Sequence, residues 1–508
     1  MPALDPDQKN MTVPSGKVAD SMAASPAPAA SPDSTAPVST ALECDVLIIG
    51  GGPAGSTAAI TLARTGRRVL LLEKDHHPRF HIGESLLPMN LPILDRLGVL
   101  DRVAAIGVRK VGADFPLPSD GDAGTHVFRF DHSLTPGCTH AFQVRRDQFD
   151  TVLFEAAREA GADARDGVAV TAVDFDPDGR PRRARARAAD GSELAISMAY
   201  LIDASGRDTF LGNRLKFKRR NPKHQSAALF SHFRGVARRD GEHAGNITIE
   251  RFAHGWVWLI PLPDDVMSIG AVCSPDYLKQ RRGDGETFLL DTLRGMPTVW
   301  ARMAGAERVA PVHATGNYSY VSTRMCGPGW TTVGDAYAFI DPIFSSGVYL
   351  AMHSAERAAG MVDAALRTPA REAALQQAMA RGFDRGLKEF SWFIYRFTTP
   401  VMRHLFANPR NTWQIEQAVI SMLAGDVFDN PAVVRRLRAF RLIYLITAAG
   451  MAPTTLRAWW QRRRRRRAGF SGETLQPDPG LAMTAADASS PTTAAGTAPL
   501  PDPARNPA

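Results

Sequence analysis

The chain has 508 residues, 44% hydrophobic and 22% charged, enough apolar material for two or three cores. Its four cysteines, Cys44, Cys138, Cys273 and Cys326, lie far apart with no CxxC pair, which argues against a disulfide scaffold or structural zinc. The formal charge of +8 leans on one run, Arg462–Arg467, and no nucleic-acid-binding module accompanies it. Met1–Ala41 and Ser471–Ala508 are rich in Ala, Pro, Ser and Thr and read as disordered tails. No continuous apolar secretory segment is found at the N-terminus, so a cytoplasmic enzyme is expected.

Asp45–Ile49 is an apolar run of the kind expected for a strand buried on both faces. It breaks into Gly50-Gly51-Gly52-Pro53-Ala54-Gly55, which fits G-x-G-x-x-G. A helix is expected over Ser56–Thr65, stopped by Gly66, and a second strand over Arg68–Leu72. Glu73 closes that strand near the spacing of an acid that grips a ribose hydroxyl, followed by Lys74. A glycine turn at a helix N-terminus brings N–H groups and partial positive charge to a pyrophosphate. The combination predicts dinucleotide binding.

Next comes the turn Ile82-Gly83-Glu84-Ser85, either an ordinary connection or a loop folded on a cofactor ring, and then a helix through Leu97. Gly107–Phe115 reads as one strand carrying Lys110 among apolar neighbours. Such a lysine either points to water, the commoner case, or is buried for chemistry, where desolvation lowers its pKa. Gln143–Asp150, with Arg146, opens a helix to Glu159. Val168–Phe175, Arg182–Ala188 and Leu194–Met198 form a meander, and Tyr200–Gly206 is a further buried strand. Trp256-Val257-Trp258-Leu259-Ile260-Pro261 has period two, with Trp256, Trp258 and Ile260 on one face, which reads first as core. Thr331–Asp335 is a third buried strand, and Phe339–Gly347 a loop into the helix Val348–Leu366. Such a loop aims amide N–H groups at one point and makes an anion site. Beyond Arg371 the pattern is helical. The polyarginine run, beside Trp459 and Trp460, is either a solvated tail or a basic patch for an anionic membrane surface.

In this order the segments resemble the flavin-dependent halogenases, themselves similar to flavoprotein monooxygenases of the para-hydroxybenzoate hydroxylase type. The resemblance rests on Gly50–Gly55 with Glu73, Arg146 in R-x-x-F-D, Asp203–Gly206 and Gly334-Asp335. W-x-W-x-I-P at 256–261, Lys110 in its strand and F-x-x-P-x-x-S-x-G at 339–347 favour a halogenase over a hydroxylase. The resemblance implies an α/β fold. A Rossmann-like FAD-binding domain of the glutathione-reductase/para-hydroxybenzoate-hydroxylase type (42–370) interleaves with an antiparallel-sheet substrate domain, mainly 207–320. A helical cover follows over 371–470.

It also implies FAD used as FADH2, chloride or bromide, O2 and a separate NADH-dependent flavin reductase. The cofactor residues are Gly50, Gly52, Pro53, Ala54, Gly55, Glu73, Lys74, Ile82, Gly83, Glu84, Arg146 and Asp335. The halide meets Ser346 and Gly347. Trp256 and Trp258 hold the organic substrate off the flavin, and Lys110 delivers the halogen. Phe344 replaces the anion-loop glutamate of the tryptophan halogenases and touches substrate. That departure points to phenols, pyrroles or aromatic acyl groups on an acyl or peptidyl carrier protein; the basic loop Lys216–Arg220 is either a solvated connection or a surface for such a carrier. An aromatic hydroxylase or reductase of the same fold, and a membrane-peripheral flavoprotein without turnover, stand as alternatives.

Overall fold

A computed structural model describes residues 40–116, 124–221, 226–316, 319–407, 411–452, 456, 457 and 460. Of the Trp459–Arg467 run only Trp460 is among them, and the expected tails fall outside except for residues 40 and 41. Among the described residues no helix is long and apolar enough to cross a membrane. The four cysteines are free.

The dinucleotide segment builds the first sheet. Strands run in the order Cys326–Gly327, Trp330–Thr332, Glu193–Asp203, Thr40–Ile49, Val69–Leu72 and Asp163–Arg165. All neighbours are parallel except the outermost Cys326–Gly327 pair. The central strands carry Leu47, Ile48, Leu71, Leu201 and Ile202 with no exposed surface, as sheets covered on both faces require. The helix starts at Pro53, three residues before the sequence reading, because proline suits a first helical position whose N–H has no partner. The meander's last strand and the run from Tyr200 are one strand, Glu193–Asp203. Its first half pairs with Pro181–Ala188 and its whole length with Thr40–Ile49.

The second sheet is mixed but mostly antiparallel: Glu307–Arg308, Ala227–Arg234, Val266–Cys273, Gly255–Pro261, Ile247–Phe252, Gly112–Pro116 and Thr125–Arg129. The last two strands come from far upstream, and Ile247–Phe252 pairs with Gly112–Pro116 in parallel. Gly107–Phe115 is therefore not one strand. Gly107–Lys110 pairs with Ala141–Val144, and the chain turns at Val111 into the second sheet. Asn246 Oδ1 fixes the corner by accepting from Val111 N at 3.1 Å and Gly112 N at 2.9 Å.

After the long helix Gly347–Arg367 come Glu372–Ile394, Pro400–Ala407, Ile415–Leu423 and Pro431–Gly450. Several hydrogen bonds fasten them to the first half of the chain, among them Gln376 Nε2 to Tyr200 OH at 2.8 Å. Met89 N donates to Ala424 O at 3.0 Å, and Leu134 N to Ser421 Oγ at 2.8 Å.

Trp258 packs over its cross-strand partner Gly270, where an added Cβ would lie 2.2 Å from the indole and 2.5 Å from Phe230 Cβ. Gly270→Ala should therefore cost about 1–3 kcal/mol. Urea unfolding measures that cost, and near-ultraviolet circular dichroism reports the displaced indole.

Candidate functional site

One cleft gathers most of the residues singled out in the sequence. Gly50, at φ +101°, brings the turn against the neighbouring strand, where an added Cβ would sit 2.4 Å from Ala204 O. At Gly55 a Cβ would meet Gly50 O at 1.8 Å. Both glycines are thus required by backbone contact. At Gly52 the nearest atom is Arg79 Nη2, 3.4 Å away, so this position faces the cleft.

Glu73 is buried and closes its strand as expected. It accepts from Gly51 N at 2.8 Å, Arg79 Nη2 at 3.2 Å and Asp75 N at 3.1 Å. Lys74 lines the rim and pairs with Asp208 at 2.6 Å, an exposed contact of little energetic weight.

Arg146, at the start of the helix Arg146–Glu159, donates to Asp150 at 2.7 and 2.9 Å and to Ile82 O at 2.8 Å. Burial opposes ionisation of Asp150, but Arg146 and Arg79 outweigh it and hold the carboxyl below its usual range. This pair fixes Ile82–Ser85 along the cleft. Gly83, at φ +112°, turns the loop. Glu84 is buried, with Oε1 2.6 Å from His232 Nε2, while its Oε2 has no hydrogen-bond partner among the described residues. Asp335 follows the strand Trp330–Thr332 and borders the cleft. Burial raises its pKa to about 6, against the pull of Arg207 and Arg146.

Across the cleft stand Trp256, Trp258 and Ile260, consecutive inward positions of one strand. They are buried, as a core reading requires, yet they form its wall. The indoles lie 5.8 Å apart, and Trp258 Nε1 donates to Ser268 Oγ at 3.2 Å. The loop before the long helix is capped by Asp341, which accepts from Ile343 N at 3.0 Å. Ser345 and Gly347 line the cleft, and Ser346 between them is buried at the helix N-cap. The N–H groups of a first helical turn have no intrahelical acceptor, so this end suits an anion.

Four expected residues do not line the cleft: Gly55, which packs on Gly50, Ser346, and two that stand further apart, Phe344 and Lys110. Phe344 packs edge-on to Phe397 at 5.4 Å, among Phe115 and Phe406. Lys110 is 1% exposed and does not line the cleft. Its Nζ donates to Ser85 Oγ at 2.8 Å and to Leu86 O at 3.1 Å, with the Phe130 ring 5.4 Å away. Burial lowers its pKa to about 7. Ser85 is the shared element, lining the cleft on one side and holding Lys110 on the other. Its place in the Gly-Glu-Ser turn is the only sequence signal for that role. His232 has no such signal. None of the described side chains lining the cleft is cysteine or methionine.

The residues present fit FAD. Gly52 leaves backbone open to the cleft, a helix N-terminus borders it at Pro53 and Ala54, and the Asp335 carboxyl lines the wall as an acceptor for hydroxyls. Residues 43–388 match the model of a family described as FAD binding domain, so the chain is a flavoprotein. A flavin-dependent halogenase of Metacordyceps chlamydosporia is 34% identical over 375 residues, 68% of this chain and 70% of that one. The 1H-pyrrole-2-carbonyl-(peptidyl-carrier protein) chlorinase of Pseudomonas fluorescens is 30% identical over 410 residues, 76% and 90% of the two chains. The solved structure of the flavin-dependent brominase Bmp2 superposes with a TM-score of 0.69 at 29% identity, covering 79% of this chain and 99% of that one. The chain belongs to the flavin-dependent halogenases. Its activity is FADH2-dependent halogenation of aromatic substrates with O2 and a halide, and the hydroxylase and reductase readings are not favoured.

The depressed pKa of Lys110 has a measurable consequence. Between about 7 and the ordinary lysine value of 10.5, the unfolded chain binds the proton that the folded chain releases, so stability rises with pH across that window. Lys110→Met should lack this rise. Urea unfolding of both proteins at several pH values should show wild type gaining on the variant as pH increases.

Proposed function

We propose that Lys110 is the residue that transfers halogen to the substrate, and that Ser346, Gly347, Trp256 and Trp258 control the halide and the acceptor. The observation carrying this reading is a lysine buried one hydrogen bond behind the cleft wall, with a pKa near 7. Bound as FADH2, the flavin supplies the two electrons with which O2 and a halide become hypohalous acid and water.

The loop amides at Ser346 and Gly347 hold the halide at the N-terminus of the long helix, where the helix dipole favours an anion. Trp256 and Trp258 fill the cleft wall and keep an aromatic ring away from the cofactor. Hypohalous acid passes the wall at Ser85. The protonated form of Lys110 donates a hydrogen bond to it. The neutral amine displaces water and becomes an N-haloamine. Either arrangement presents electrophilic halogen in a water-poor setting, where a fixed charge acts strongly. The ring then takes the halogen and loses a proton.

Phe344 leaves no carboxylate in the anion loop, so the acceptor is a ring activated by its own hydroxyl or ring nitrogen, a phenol or a pyrrole. The chlorinase of Pseudomonas fluorescens acts, by its name, on a pyrrole held by a peptidyl carrier protein. By analogy the substrate here is free or carrier-bound. The exposed Arg219 and Arg220 are suited to an acidic carrier. Reducing equivalents come from a separate NADH-dependent flavin reductase in the cytoplasm.

The test supplies FAD, NADH, a flavin reductase, O2 and chloride or bromide with phenol, pyrrole and carrier-bound acceptors, and seeks halogen isotope patterns by mass spectrometry. Lys110→Ala should lower product formation on the order of 10²-fold or more while flavin reoxidation continues. Product at the wild-type rate would sink the assignment. At Gly347 an added Cβ would approach only Phe339 Cε2, at 4.0 Å, so Gly347→Ala should fold normally. Steady-state kinetics should show a raised KM for halide and little change in flavin affinity.

A further inference from the structure

Seven large hydrophobic side chains are strongly exposed among the described residues, and five of them lie between 442 and 460. Leu442, Leu445, Ile446, Leu456 and Trp460 are each 58–64% exposed. The helix Pro431–Gly450 buries Val433, Leu437, Phe440 and Tyr444 against the protein. Its outer stripe at helical spacing is Arg435, Arg438, Leu442, Leu445, Ile446 and Ala449. A helix on a soluble protein ordinarily turns polar residues outward. Here the outward stripe begins basic and becomes apolar. Arg457 follows, and six arginines occupy 462–467 of the sequence.

Three occupants for this face can be weighed by charge and composition. A second copy would bring the flanking arginines of both chains together, and like charges across an interface are costly. The chain's own C-terminal segment, Ser471–Ala508, is rich in Ala, Pro, Ser and Thr and has few large apolar residues with which to cover Leu445 and Ile446. An anionic lipid surface satisfies both halves of the pattern. Leucine, isoleucine and tryptophan enter the headgroup boundary, and arginines before and after them meet phosphodiester headgroups.

We propose that the outer face of Pro431–Gly450, together with the exposed Leu456 and Trp460, docks this enzyme on an anionic bilayer surface without crossing it. The inference is independent of the halogen-transfer assignment, because none of these residues borders the cleft.

The test is sedimentation of the full-length holoenzyme with vesicles of phosphatidylcholine alone or mixed with phosphatidylglycerol. Wild type should bind only the mixed vesicles and be released as salt rises. A double variant, Leu445→Glu with Ile446→Glu, should bind about tenfold more weakly while keeping its halogenating activity. Arg435→Glu with Arg438→Glu, which leaves the apolar stripe intact, should weaken binding and its salt dependence together. Failure of wild type to sediment with mixed vesicles overturns the proposal, as does equal binding by the Leu445/Ile446 variant. A concentration-dependent dimer, or a complex with an acidic carrier protein, that the same variant abolishes in the absence of vesicle binding also overturns it.

Discussion

The architecture of the site depends on where Arg146 spends its hydrogen bonds. Its guanidinium holds Asp150 on its own helix and the carbonyl of Ile82 on the neighbouring loop, all in a buried setting. Losing one partner of such a pair strands the other charge without solvent, which typically costs 3–5 kcal/mol. The arrangement therefore persists, and the loop it fixes carries two further contacts outward. Glu84 reaches His232 on the second sheet, and Ser85 reaches Lys110 at the corner between sheets. One ion pair thus holds the loop through which the first sheet's helix is linked to His232 and Lys110.

The parts legible in the sequence are those encoded locally. Strand, glycine turn, helix, second strand and Glu73 fall within about thirty residues, and each obeys a rule of backbone geometry that neighbours enforce. Arg146 and Asp150 are one helical turn apart, so their pairing is local too. Period two placed Trp256, Trp258 and Ile260 together, but alternation specifies a shared face and not what lies opposite. The corner at Val111 was illegible because its hydrogen-bond acceptor, Asn246, lies more than a hundred residues downstream. The packing of Phe344, expected to touch substrate, was illegible for a similar reason. Phe397, from the helical region, supplies a ring for it to pack on, and aromatic burial draws the side chain there.

Lys110 shows how the fold prepares an amine. The ammonium gains one hydroxyl and one carbonyl as partners but no carboxylate, so the loss of hydration is repaid only in part, and burial sets the direction of its titration. A single serine separates it from the cleft. A neighbouring acid would have kept it charged and inert as a nucleophile. Among the described residues no carboxylate hydrogen-bonds Nζ, so the proton is held by neutral contacts alone, against the cost of burial.

The lining of the cleft has a last consequence. The chain contains 16 methionines and four cysteines, yet none of the described ones borders the cavity that fits the flavin. Thioethers and thiols are the side chains most readily converted to sulfoxides and sulfenic acids. A catalyst that formed hypohalous acid there would present it no thiol or thioether among the described side chains of its walls.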